Sequence, residues 1–165
     1  NNNPHFFFFF YSFKELEVQN FLVIPKHYFV DSIIQKRKLL SSKARRAGWI
    51  GCNIILHSIP SFGRIFLVKN GKVENRKNVI ETWSKTAFLG KQKQESRGWT
   101  IEILNLIETL SENQFTLQQM YSFETILKKK FPNNNFIKDK IRQQLQVLRD
   151  NGLIEFSGNG LYRKN

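Results

Sequence analysis

Apolar residues form short runs over the first half of the sequence and recur every three to four positions over the second half. Short apolar runs bounded by turn residues indicate β-strands, and a recurrence near 3.6 residues indicates amphipathic helices. The change falls within the polar stretch LGKQKQESRG. We therefore predict an α+β fold with a β-rich domain over residues 1–90, a linker over residues 91–98 and a second domain over residues 99–165.

Four runs in the first domain are rich in aromatic and β-branched residues and predict strands. They are Phe6–Phe13, Phe21–Ile24, Trp49–Leu56 and Arg64–Val68. The first two runs are continuous rather than alternating, which is typical of strands that are buried on both faces.

The segments between these runs predict turns and one helix. Asn70-Gly71 is a strong signal for a β-hairpin turn. Ser32–Leu40 predicts a short helix or turn with Ile33 and Ile34 pointing inward, and Asn78–Phe88 predicts a helix.

The second domain has the pattern of a winged helix. Its three apolar stripes and two strand-like runs are Trp99, Ile103, Leu106, Ile107 and Leu110; Met120, Phe123, Leu127 and Phe131; Ile137, Ile141, Leu145 and Leu148; Leu153–Phe156; and Leu161–Arg163. Thr116 and Gln119 match a capping box at the start of the second helix. Asn135 is the predicted N-cap of the third helix, and Gly152 is its predicted C-terminal glycine. In a winged helix the third helix reads DNA.

The charge of the chain predicts a polyanionic partner. The formal net charge is +13, and no Asp or Glu occurs from Ser32 to Val73. Arg45 and Arg46 can neutralise phosphates, and Trp49 offers a flat apolar surface for a base or a methyl group. The alternative is that Trp49 packs in the core of the sheet. The remaining predicted phosphate contacts of this stretch are Lys36, Arg37, Lys38 and Lys43.

The outward face of the third predicted helix carries side chains that can read or grip DNA. Arg and Gln can each bond in a bidentate manner to a base edge. The predicted DNA-binding residues of this face are Lys138, Arg142, Gln143, Gln146 and Arg149. Tyr162 and Arg163 on the wing are further candidates, and the alternative is a solvated C-terminus. The face as a whole also fits a winged helix that binds protein.

Catalytic and metal-binding patterns are missing from the sequence. No Asp or Glu is followed two residues later by Lys, and one Cys and three His have no zinc-ligand spacing. We therefore predict a binding protein with no catalytic residue and no metal ligand. The single cysteine, Cys52, indicates a cytoplasmic protein and predicts a small core residue. No apolar run approaches the roughly 20 residues of a membrane span.

Seven segments in order resemble one family. NNPHFFF, FLVIPKH, ARRAGWIGCNI, GRIFLVKNG, SRGWTIEIL, IRQQLQVLRD and GLYRK are together similar to the DpnI-type, or Dam-replacing, methyl-directed type II restriction endonucleases. The resemblance implies a nuclease domain of the PD-(D/E)xK kind, here represented by its C-terminal part, followed by a winged helix. It also implies cleavage of double-stranded GATC that contains N6-methyladenine, with Trp49 contributing to the methyl-sensing pocket.

The catalytic and zinc-binding residues of that family lie upstream of the segment that matches Asn1. The chain does not begin with methionine, and its only Met is Met120. We therefore expect a fragment that has no cofactor of its own, whereas Mg²⁺ and structural Zn²⁺ are expected for a full-length member. The fragment is expected to be a monomer that binds adenine-methylated DNA without cutting it. Two alternatives stay open: a non-enzymatic winged-helix transcription regulator, and a fragment whose β-rich part folds poorly alone.

Overall fold

The computed structural model describes residues 5–165. Asn1–Pro4 lie outside the described residues, and with them the first three residues of the NNPHFFF segment, Asn2 to Pro4. The chain divides into two compact units, Asn1–Gly90 and Lys91–Asn165. Both units contain helices and strands, so the prediction of an α+β fold is confirmed. Within the described residues no helix combines the length and the apolarity that crossing a bilayer requires.

In its described part, residues 5–90, the first unit contains two antiparallel sheets and one α-helix. Its elements are β1 (Phe6–Ser12), β2 (Glu17–Ile24), β3 (Ile34–Lys36), β4 (Cys52–Ile54), β5 (Ile65–Lys69), β6 (Lys72–Val73) and α1 (Arg76–Lys85). The larger sheet has the strand order β1-β2-β5-β6, and β3 pairs with β4 in the smaller one. Asn70 and Gly71 have φ of 50° and 76° between β5 and β6, so the predicted hairpin turn is confirmed.

The core of the first unit forms around the second half of β2. Ile24, Tyr28 and Ile33 have no exposed surface, and Ile65 from β5 is almost as fully buried. The phenylalanines of β1 do not share this core, and Phe7 is 63% exposed. The prediction that this strand is buried on both faces is therefore wrong. The physical reason is that β1 is the edge strand of its sheet, paired only with β2 among residues 5–165.

The smaller sheet corrects three further predictions. The short helix or turn predicted for Ser32–Leu40 is confirmed only at its start, where a 3-10 helix covers Asp31–Ile33, and strand β3 follows it. The run Trp49–Leu56 shrinks to the three residues of β4. Ile33 is buried whereas Ile34 is 43% exposed. The two cannot both point inward, since successive side chains of extended backbone face opposite sides. Cys52 is exposed rather than a core residue.

The second unit contains four α-helices and a three-stranded antiparallel sheet. Its elements are α2 (Gln94–Thr109), β7 (Gln114–Thr116), α3 (Leu117–Tyr121), α4 (Glu124–Lys130), α5 (Ile137–Asp150), β8 (Ile154–Gly158) and β9 (Leu161–Lys164). The strand order is β7-β9-β8. Most of the predicted linker, residues 91–98, is helical instead, because α2 already begins at Gln94. The first turn of a helix can be wholly polar when only later turns meet the core, so periodicity does not reveal where α2 starts.

The second predicted helix is two short helices, with Phe123 between α3 and α4 at φ −81° and ψ 2°. The capping box is confirmed. Gln119 N donates to Thr116 Oγ1 at 3.1 Å, and Thr116 N donates to Gln119 Oε1 at 2.7 Å.

Helix α5 buries the predicted stripe of Ile137, Ile141, Leu145 and Leu148, which is confirmed. It ends in a Schellman motif: Leu153 N donates to Leu148 O at 3.0 Å, and Gly152, at φ 71°, donates to Arg149 O at 2.9 Å. The predicted N-cap is wrong. Phe136 occupies that position without a side-chain cap, and Asn135 instead accepts a hydrogen bond from Lys128 Nζ at 3.0 Å.

Candidate nucleic-acid interface

A basic hairpin, Lys36–Cys52, projects from the β3–β4 pair. The pairing continues past the strands, because Arg37 N donates to Gly51 O at 2.9 Å and Leu40 N donates to Trp49 O at 3.2 Å. The two arms therefore stay aligned up to the tip of the hairpin. This alignment fixes the position of Trp49 relative to Gly51.

Successive tight turns close the tip of the basic hairpin. Ala47 N donates to Ala44 O at 3.0 Å, and Trp49 N donates to Arg46 O at 3.1 Å. Gly48 has φ 81°, a conformation that residues with a Cβ rarely adopt. The glycine before Trp49 thus serves the turn that returns the chain to the second arm.

The Trp49 side chain lies on the surface, not in the core. It is 53% exposed. A Cβ built on Gly51 would stand 2.9 Å from both Cη2 and Cζ3 of the indole and 3.4 Å from Arg37 Cδ. The indole therefore rests against the bare backbone of Gly51, and about half of its surface faces solvent. A flat apolar ring held in this way can receive a base or a methyl group.

Every predicted cation of the basic hairpin is exposed and has no ion pair with a carboxylate of residues 5–165. These cations are Lys36, Arg37, Lys38, Lys43, Arg45 and Arg46. The absence of acids from Ser32 to Val73 explains this. The positive charge of the basic hairpin is therefore available to an external anion.

The predicted DNA-binding cations of the second unit are in the opposite situation. Four of the predicted DNA-binding residues form ion pairs within the unit: Arg142 with Asp139, Lys138 with Glu124 at 3.5 Å, Arg149 with Asp150 at 2.8 Å, and Arg163 with Glu155. Exposed pairs of this type contribute only about 0–1 kcal/mol. A DNA phosphate can therefore replace the carboxylate partner of each cation at a small cost in free energy.

Tyr121 of α3 holds two of these cations over α5. Arg142 Nη1 donates to Tyr121 Oη at 3.0 Å, and Lys138 Nζ lies 5.6 Å from the centre of the Tyr121 ring. The hydrogen bond from Arg142 to Asp139 and the neighbouring tyrosine raise the pKa of the guanidinium above its usual value. The guanidinium of Arg142 is thus held between the Asp139 carboxylate and the Tyr121 hydroxyl.

The remaining predicted residues of the second unit differ in exposure. Gln143 and Gln146 are exposed on α5. Tyr162 lies between Phe115, at a ring-centroid distance of 5.5 Å, and Phe156, at 5.1 Å. Partial burial raises the pKa of the Tyr162 hydroxyl above its usual value. Of the two wing candidates, only Arg163 is exposed, and Tyr162 is half-buried.

Phe136 is a surface residue that periodicity does not reveal. It immediately precedes α5 and is 72% exposed. Its loop is held in place, because Phe136 N donates to Asn134 Oδ1 at 2.8 Å and Lys128 Nζ donates to Asn134 O at 2.7 Å. The only sequence signal is a large apolar residue just before the buried stripe of α5.

The described residues do not fit the metals that the resemblance implies. Among residues 5–165 no group of three His, Cys, Asp or Glu side chains comes together. Neither Mg²⁺ nor structural Zn²⁺ therefore has a set of ligands in this part of the molecule.

Comparison with family models covers both units. Residues 1–92 match the model described as the Dam-replacing family, DpnI. Residues 95–164 match the model described as the Dam-replacing HTH domain, the C-terminal domain of the same family. The two matches follow each other in the order that the sequence segments predict.

Proposed function

The chain belongs to the Dam-replacing, DpnI-type family of restriction endonucleases, and from this premise we propose that it recognises duplex GATC whose adenine carries an N6-methyl group. DNA is the partner that its helix-turn-helix domain supports. The finer proposal is carried by one observation: the half-exposed indole of Trp49 stands on a hairpin whose cations have no ion pair among residues 5–165.

Each part of the basic hairpin has its own task in this proposal. Arg45, Arg46, Lys36, Arg37, Lys38 and Lys43 supply sequence-independent affinity by releasing counterions from the DNA backbone. Trp49 supplies selectivity, because a methyl group on adenine adds apolar surface that the indole can cover. Burial of one methyl group is worth about 0.8 kcal/mol, or about fourfold in affinity.

The winged-helix unit reads bases in the same proposal. Arg142, Gln143 and Gln146 contact base edges, whereas Lys138, Arg149, Tyr162 and Arg163 contact the backbone. Phe136 adds an apolar contact at the end of α5 that enters the groove. The ion pairs of Arg142 and Arg149 hold these side chains ready and open when phosphate or base replaces the carboxylate.

We propose further that the first unit is the C-terminal part of a PD-(D/E)xK nuclease domain, and that this chain alone binds as a monomer without cutting. The match of residues 1–92 to the Dam-replacing family supports a nuclease-domain origin for the first unit. The absence of an Asp/Glu-x-Lys triplet supports binding without cutting. Incubation of the purified chain with methylated GATC plasmid and Mg²⁺ should leave the plasmid intact, and site-specific cleavage would disprove the statement.

Selection from a random duplex pool that contains N6-methyladenine tests the recognition proposal as a whole. Enrichment of methylated GATC is expected. The plain winged-helix regulator predicts instead an operator unrelated to GATC, bound equally well with and without methylation. That outcome would replace the proposal.

A further inference from the structure

A cavity of 280 Å³ lies in the first unit between β5, α1 and the turn Ser61–Gly63. This volume lies just below the roughly 300 Å³ at which ligand pockets begin, so the site has room for one small molecule and no more. Neither Trp49 nor any cation of the basic hairpin lines it. The cavity is thus a separate feature of the unit, without a role in the methyl-reading proposal.

The cavity has a cationic side. Arg64 lines it, and the Nε of Arg64 is buried without a hydrogen-bond partner among the described residues. A buried donor that lacks an acceptor is destabilising, and a bound anion would supply the acceptor. Lys69 also lines the cavity, with its Nζ 5.3 Å from the centre of the Phe66 ring. Two cations therefore face a single carboxylate, that of Glu74.

The rest of the lining suits a planar, polar-edged group. Phe62 and Phe66 provide aromatic surface, on which a base can stack. Asn78 offers an amide donor and acceptor, and Glu74 offers acceptors, as the edge of a nucleobase requires. We propose that the cavity binds one nucleotide, with its phosphate at Arg64 and Lys69 and its base against the aromatic side.

The walls of the cavity are already in place. A Cβ on Gly63 would come within 2.6 Å of Ile59 Cγ2 and 2.7 Å of Tyr28 Cε1, so this turn is tightly packed against the core. Asn75 Oδ1 accepts from Lys77 N at 2.8 Å and fixes the start of α1. A preformed site spends little free energy on ordering when a ligand enters.

Calorimetric titration of the whole chain with dAMP, inorganic phosphate and deoxyadenosine tests this site at fixed salt. We expect dAMP to bind at least tenfold more tightly than inorganic phosphate alone or deoxyadenosine alone. Arg64→Gln should weaken dAMP binding at least tenfold. The matched control Arg76→Gln removes an exposed charge of α1 outside the cavity and should change little.

A second variant keeps the test valid if Arg64→Gln does not fold. Asn78→Ala changes an exposed side chain and should weaken dAMP binding while leaving phosphate binding unchanged. No saturable dAMP binding at millimolar concentration would overturn the proposal. So would equal losses in Arg64→Gln and Arg76→Gln, since these would indicate nonspecific attraction of anions.

The nucleotide has two possible sources, a free mononucleotide or a nucleotide displaced from DNA. Competition between dAMP and unmethylated duplex separates them. Displacement of dAMP assigns the site to DNA, and unchanged dAMP binding assigns it to free nucleotide. The dAMP probe carries no methyl group, so its result is independent of methyl reading by Trp49.

Discussion

The indole of Trp49 rests on Gly51: its Cη2 and Cζ3 atoms lie 2.9 Å from the place that a Cβ at Gly51 would occupy. Real Cβ atoms do not approach other heavy atoms so closely, so any side chain at position 51 must displace the ring. Gly51 does not have a left-handed φ, and its backbone conformation is open to alanine. The role of this glycine is therefore steric.

Gly51→Ala should shift the indole and remove most of the preference for methylated DNA. The expected loss is about fourfold for each methyl group, the value of one buried methyl. Competition titrations with methylated and unmethylated GATC duplexes measure it. Gly90→Ala is the control, because its Cβ would meet only His27 Nδ1 at 3.7 Å. An unchanged preference in Gly51→Ala would show that the seating of the indole is irrelevant.

The unpaired cations of the basic hairpin should determine the salt dependence of DNA binding. Arg45→Gln and Arg46→Gln should each lower the slope of log K against log salt by about 1 and weaken methylated and unmethylated DNA alike. Lys77→Gln removes an exposed cation of α1 and should leave the slope unchanged. Equal effects of all three changes would mean that only net charge matters.

Asp139→Asn should strengthen DNA binding, because it releases Arg142 from its carboxylate partner. The affinity is expected to rise by up to about fivefold, in line with the small free energy of exposed ion pairs. Glu112→Gln removes one negative charge at an exposed position that has no ion pair among residues 5–165. If Glu112→Gln has the same effect in fluorescence anisotropy titrations, the pairing of Arg142 does not restrain binding.

Phe136→Ala should weaken specific binding more than nonspecific binding, since its ring stands at the start of α5, the helix that we propose reads DNA. The expected loss is about tenfold on the selected site, as for removal of one base–aromatic contact. Ile126→Ala is the control, a half-exposed apolar residue of α4. Equal small losses for both variants on the selected duplex would remove Phe136 from the interface.

Features with a local cause are those that the sequence predicts well. Three confirmed features each depend on residues within a few positions of one another. They are the Asn70-Gly71 turn, the capping box of Thr116 and Gln119, and the end of α5 at Gly152. The types of the neighbouring residues determine the hydrogen bonds and the φ angles that these features need. The buried stripe of α5 follows from helical periodicity in the same way.

Features that depend on distant neighbours were not predictable. The exposure of the β1 phenylalanines follows from the place of β1 at the sheet edge, which composition does not state. The contact of Tyr121 with Arg142 spans 21 residues and requires α3 to pack beside α5. The contact of the Trp49 ring with Gly51 lies within the acid-free stretch that predicts DNA binding, but only the hairpin geometry reveals it.

The most direct test of the central claim compares the unchanged chain with Trp49→Ala in competition titrations against GATC duplexes with and without N6-methyladenine, at one salt concentration. The unchanged chain should prefer the methylated duplex by at least about fourfold. Trp49→Ala should bind both duplexes equally, at nearly the affinity of the unchanged chain for unmethylated DNA. Equal affinity of the unchanged chain for the two duplexes, or a full methyl preference in Trp49→Ala, would contradict the claim that Trp49 reads the methyl group.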